Sequence, residues 1–432
     1  MAEQFIILPS AQHLNLLDVL SVIVLLIHLP YMGIVMGSTF FSLFFYVKDW
    51  MQPANRTKQL GKDILQIVPV NIPIFTMMGV LPLLTLMLVY SEWFDQTKLP
   101  ILRYFGAILI MTIAGLFFIF LYHSIRRKGG FVSIITFIIG CIGVFLLLNT
   151  YYIFFSTLVL FLFPDFWFTL DTPVPLIFSW NTVARYLIFL CACCAFTGLG
   201  MLFHWFYWDK KQFDEKYKRF VRNFAGGISI GAVLVIPVCL LWDIGTMPGS
   251  SFSIAVYIFY MAAIFFLMLV VFRLFKILSQ PELSITSSPF VLFLIAFVFL
   301  TTSNELAKEN VNRGHMTFIA DKAHLVYMEL EQKRTANVKV TPDLALGEHV
   351  YKTVCSTCHA FDHKVVGPPH NEVLPKYYND QDSLKKFILH PVKVNPAYPP
   401  MPPQPLNRKE LESVVAYMMK HIEDEGLVHK KK

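Results

Sequence analysis

Cys355-Ser356-Thr357-Cys358-His359 is the stretch whose reading decides the C-terminal part of this chain. Cysteines at i and i+3 lie on one face of a helix, and the next residue adds an imidazole beside them. Two such thiols can each form a thioether with a vinyl group of haem, and the histidine can then ligate the iron. A sixth ligand is still needed, and methionine serves where a high potential is wanted. Met401 is the candidate. It sits in Tyr398-Pro399-Pro400-Met401-Pro402-Pro403, where prolines hold an extended loop. Met418 and Met419 are rivals, but they fall in a helical pattern with Leu411, Val414 and Val415 and read as core. Asn407 is the expected N-cap of that helix. The competing reading is zinc held by Cys355, Cys358, His359 and His363. A zinc finger places about 12 residues between its ligand pairs, and these four form one contiguous run. His349, His370 and His390 read as surface histidines.

Around this motif the segment resembles a class I cytochrome c. In that family a small residue and an aromatic on the first helix cross the last helix. Gly347 and Tyr351 fit those places, with Tyr417 as the opposing aromatic. Gly367-Pro368 resembles the family's turn, in which the proline carbonyl orients the axial imidazole. The resemblance implies one covalent haem c held by Cys355, Cys358, His359 and Met401.

Working outward, the 432 residues are 56% hydrophobic with 41 Phe, and only 15% are charged. The apolar runs stop near residue 303. A helix needs about 20 apolar residues to cross a bilayer. Eight runs qualify, near 15–45, 67–91, 101–124, 131–162, 179–207, 225–246, 252–278 and 286–303. The expected fold is all-α: a bundle of about eight membrane helices over 1–303, a connector over 304–340, a small helical domain over 341–424 and a basic tail over 425–432. Cys141, Cys191, Cys193, Cys194 and Cys239 lie in the apolar spans and read as small buried hydrophobes.

Loop charge sets the orientation. Lys48, Arg56, Lys58 and Lys62 follow span 1, Arg126, Arg127 and Lys128 follow span 3, and Lys210, Lys211, Lys216, Lys218, Arg219 and Arg222 follow span 5. The alternate loops carry Lys98, or Asp165 and Asp171, or nothing charged from Met247 to Ser251. Basic loops stay in the cytoplasm, so both termini are expected outside, where c-type haem is attached. The first residues lack a basic region and a cleavage site, so span 1 is expected to act as an uncleaved signal. The net charge of +7 lies largely in these loops and leaves no basic stripe for nucleic acid.

The membrane part resembles subunit I of the cytochrome bd quinol oxidases. The carrying stretches are His28-Leu29-Pro30-Tyr31-Met32-Gly33-Ile34-Val35-Met36-Gly37, Phe75-Thr76-Met77-Met78-Gly79-Val80, Gly115-Leu116-Phe117-Phe118, Asn181-Thr182-Val183-Ala184 and Phe259-Tyr260-Met261. The departures are specific. Asn181 stands where that family has a haem-ligating histidine, span 3 has no interior carboxylate, and the loop from Met247 to Ser251 is too short for the family's quinol-binding loop. A branch of that superfamily that lacks the loop and ends in a cytochrome c is the better match. Asn304 to Arg313 resembles a worn form of a charged motif found there.

The resemblance implies that His28, with Met261, can ligate a b-type haem; the alternative is a hydrogen-bonded histidine left from an ancestral site. Arg103 and Arg185 either neutralise haem propionates or snorkel to headgroups, with snorkelling favoured. His123 and His204 are expected at the cytoplasmic interface. The implied setting is a bacterial inner membrane with the haem domain in the periplasm. The implied partners are lipid, other membrane subunits of a redox complex, and a soluble or membrane cytochrome. The expected function is single-electron transfer within a respiratory complex. The alternatives are a terminal oxidase, and a haem-free anchor that carries a cytochrome.

Overall fold

The computed structural model describes residues 11–93, 101–127, 134–167, 178–208, 213–279, 287–336 and 341–428. Lys98, Lys128, Asp171, Lys210, Lys211 and Lys430 to Lys432 lie outside them. The described residues form helices and no strand. Two compact units divide the chain, 1–323 and 324–432.

The first unit is built from long apolar helices. They are α1 (Ala11–Met51), α3 (Leu81–Trp93), α4 (Ile101–Arg127), α5 (Ile134–Leu160), α6 (Trp180–Leu202), α7 (Glu215–Thr246), α8 (Ile254–Ser279) and α9 (Ser288–Ala336), with a short α2 (Asn55–Asp63) after the first. A helical turn at Ile72–Ile74 and a π-helical turn at Phe75–Val80 lead into α3. Among the described residues eight helices are long and apolar enough to cross a membrane. Helix is the form that satisfies every backbone group without water. The outward faces carry Leu234, Val238, Leu241, Phe265, Met268 and Phe272, all exposed. In water that surface is a liability; in lipid it is matched.

Small residues set the crossing of α1 and α6. A Cβ added at Gly37 would lie 2.8 Å from the Cys193 carbonyl oxygen, so only glycine permits that approach. Two helices outrun the apolar signal. α7 starts at Glu215 rather than near 225, and α9 continues as helix to Ala336 past the junction expected at 303. Helical backbone does not stop where apolar composition stops; a breaker is needed, and neither segment has one there.

Beyond the end of α9, the described residues of the second unit form four α-helices. They are α10 (Leu344–Val350), α11 (His370–Val373), α12 (Gln381–Leu389) and α13 (Arg408–Asp424). Asp343 caps α10, its side chain accepting from the Ala345 and Leu346 N–H groups. Asn407 and Glu410 form a capping box at the start of α13. Removing it by Asn407→Ala is expected to cost about 1 kcal/mol of domain stability, read from a denaturant midpoint. Val350, Leu374, Leu384, Ile388, Leu411, Val414, Val415, Met418, Met419 and Ile422 make the core. At Gly347 an added Cβ would strike the Ser413 carbonyl and lie 2.8 Å from Tyr417 Cβ, so α10 and α13 cross backbone to backbone. Tyr351 then meets Tyr417 with ring centroids 5.7 Å apart.

Candidate haem-binding site

The Cys-Cys-His motif does not lie on a regular α-helix. α10 ends at Val350, and Tyr351–Cys355 follow as a π-helical turn. Such turns recur at functional sites because they re-aim side chains. The chain then tightens: the N–H groups of Cys358 and His359 both donate to the Cys355 carbonyl, at 3.2 and 3.0 Å. The Cys358 carbonyl accepts in turn from Val366 and Gly367, at 3.1 and 2.9 Å. Residues 359–366 are thereby closed into a loop that returns Gly367-Pro368 to the imidazole.

His359 Nδ1 donates to the Pro368 carbonyl over 2.9 Å. This fixes the tautomer and leaves Nε2 as the nitrogen free to ligate a metal. A Cβ on Gly367 would run into the His359 ring. Gly367→Ala is therefore expected to displace the imidazole, costing about 1–3 kcal/mol by overpacking and cutting haem incorporation. Haem content per chain checks it.

A cavity of about 390 Å³ opens beside the motif. Cys355, Cys358, His359, Gly367, Pro368 and Met401 all line it. Its size falls in the range of about 300–1,000 Å³ typical of cofactor sites. Thiols, one imidazole nitrogen and a thioether are the donor set that haem c takes. Met401 is partly buried on the proline loop, while Met418 and Met419 are in the domain core. Met418 also reaches the cavity wall. The zinc reading finds no support: His363 is exposed and bonded to Asp362 at 2.8 Å, and among the described residues no three metal-ligating side chains cluster.

His349 and His390 are exposed, but His370 is not a surface residue. It is buried in the cavity wall, and its ring stacks on that of His359 with centroids 4.5 Å apart and planes 12° apart. Nδ1 of His370 lies 3.1 Å from the Tyr351 hydroxyl. Burial, with the nearby imidazoles of His359 and His421, pushes its pKa down to about 3, so the ring is neutral. The same burial raises the Tyr351 hydroxyl and holds the free Cys355 thiol at about 11. Sequence reasoning missed His370. The signal for it was its place three residues after Gly367, on the turn that already has to touch His359.

The membrane candidates part ways. His28 is fully buried in α1, yet both ring nitrogens are used. Nδ1 donates to the Met78 carbonyl at 2.9 Å, and Nε2 accepts from the Tyr151 hydroxyl at 2.7 Å. The lone pair that would ligate iron is thus taken. Met261 is 65% exposed on α8. The structure does not bring the two together as a ligand pair, so this geometry lends the haem b expectation no support. Arg185 does not snorkel: it is buried, and Nε donates to Asp243 at 3.0 Å. Asn181 joins that cluster, donating to Thr246 Oγ1 over 2.8 Å. Arg103 is exposed. His123 is buried inside the bundle, 3.1 Å from Thr39 Oγ1.

The family model described as Cytochrome C oxidase, cbb3-type, subunit III matches residues 342–418. Cytochrome c-551 of Azotobacter vinelandii is 37% identical over 79 residues, which make up 17% of this chain and 96% of that protein. No solved structure matches the chain significantly. The family match lies wholly beyond the apolar spans. Taken with the cavity that Cys355, Cys358 and His359 share, these relationships place the chain in the cytochrome c family through its C-terminal domain, which carries covalently bound haem c.

Proposed function

We propose that the chain is a membrane-anchored c-type cytochrome that passes single electrons within a respiratory complex. Cys355 and Cys358 would carry the thioether bonds to the haem, and His359 and Met401 would ligate its iron. Haem supplies a one-electron couple when bound. The protein's part is to fix the imidazole through Pro368, present the thioether on a proline loop and exclude water. The observation that carries this reading is the convergence of four donor side chains on one cavity, with the His359 tautomer already set.

The charge pattern of the loops supports an outside position for both termini, hence a periplasmic haem domain. The bd-like resemblance of the spans supports a place beside other membrane subunits. For the bundle itself, the engagement of both His28 nitrogens favours an anchor and docking role over haem binding.

Met401→Leu tests the ligand set. With the thioether gone, the midpoint potential is expected to fall and the ferrous domain to bind carbon monoxide, because one axial position is open. Met418→Leu is expected to leave both properties as in the unaltered chain. The reverse pattern would assign the sixth ligand to α13 and refute the proline-loop reading.

A further inference from the structure

Within the first unit a second cavity lies between α1, α5, α6, α7 and α9, with a volume of about 70 Å³. Leu25, Phe189 and Phe297 form apolar walls, and Arg185, Glu305 and Lys308 supply polar ones. Each of these charged side chains has a partner. Arg185 Nε is paired with Asp243, and Lys308 Nζ is 2.6 Å from Glu305 Oε1 and 3.2 Å from the Tyr90 hydroxyl. One donor atom is left over. Arg185 is nine-tenths buried, and its Nη2 has no hydrogen-bond acceptor among the described residues. Leaving a buried donor unmet costs about 1–3 kcal/mol, more when it is charged.

We infer that this cavity holds a small cluster of exchangeable water, bound on Arg185 and on the Glu305–Lys308 pair. Volume selects the ligand first. A space of this size admits a small cluster of waters, since about 10–15 Å³ open to a water's centre holds one. Charge selects next. Arg185 and Lys308 are each balanced by a carboxylate, and the carboxylates of Asp18 and Glu309 also act on the Glu305 neighbourhood. Both cations are thus neutralised in place, which leaves no net positive charge to hold an anion. The apolar walls offer a cation too few oxygen ligands. Water needs two to four polar partners, and the Arg185, Glu305 and Lys308 side chains provide them.

The site also has a polar way out. Ser21 Oγ lies 3.2 Å from Glu305 Oε2 and 2.7 Å from the Asp18 carbonyl oxygen. Asp18 is half-buried near the start of α1. The step from Glu305 through Ser21 to the Asp18 carbonyl gives the buried water a polar route toward the start of α1, by which it exchanges with the aqueous phase.

Radiolytic hydroxyl labelling of the full chain in lipid nanodiscs tests this. Hydroxyl radicals formed from internal water modify the side chains next to it. Leu25 and Phe189 are expected to be labelled several-fold more than Leu240 and Leu267, which are equally buried but away from the cavity. Mixing into heavy-oxygen water before irradiation is expected to place the heavy isotope in the label. Labelling no greater than at the control leucines would overturn the site. Light oxygen retained after mixing would overturn its link to the surface.

Discussion

A chain carrying both Cys355→Ala and Cys358→Ala, made in a host that matures c-type cytochromes, will contain no covalently bound haem. The expected loss is complete, to the background of a haem stain after denaturing electrophoresis. The reason is local. Both thiols line the same 390 Å³ cavity, and the remaining cysteines belong to the apolar spans. With the thiols gone, His359 and Met401 can hold haem by coordination alone, and denaturant removes coordinated haem. Each single variant is expected to keep one thioether. The vinyl group left unreacted stays conjugated with the ring, so the visible α band moves to longer wavelength. A double variant that still stains would mean that attachment occurs elsewhere.

Asp243→Asn will destabilise the bundle by about 3–5 kcal/mol, the usual cost of leaving one member of a buried ion pair uncompensated. Arg185 and Asp243 are both buried, and their contact is 3.0 Å. The amide can still accept from the guanidinium, but it cannot neutralise it. Replacing both members together, Arg185→Leu with Asp243→Leu, is expected to recover most of the loss, because a matched apolar pair needs no desolvation to be offset. Unfolding in mixed detergent, followed across the four chains of the double-mutant cycle, gives the coupling. Additive losses with no recovery in the double variant would show that the pair is not the source of the stability.

Much of the architecture could be read in advance, and the reason is the solvent. In lipid every backbone group must be satisfied within the segment, so composition alone announces a spanning helix. The eight runs are eight helices for that reason. The haem motif was equally plain, since a contiguous Cys-x-x-Cys-His carries its chemistry within five positions. What escaped was pairing across helices. Arg185 and Asp243 stand on successive helices, 58 residues apart, and no spacing rule links them; alone, Arg185 reads as a residue that snorkels. His28 carried an intramembrane signal, but not whether its nitrogens face iron or Tyr151 and Met78. His370 escaped because a histidine in a polar loop is usually exposed. Its burial follows from the return of Gly367-Pro368 to His359, a tertiary event. That α9 runs unbroken into the charged connector as far as Ala336 has a local reason: charged residues continue a helix as readily as they end an apolar run.

The most direct test is a pyridine haemochrome spectrum of the detergent-purified full chain, with haem quantified per polypeptide. The account predicts one haem c per chain and no haem b, with His28 held by Tyr151 and Met78 in the bundle. A chain with no covalent haem, or one with haem b beside haem c, would contradict it.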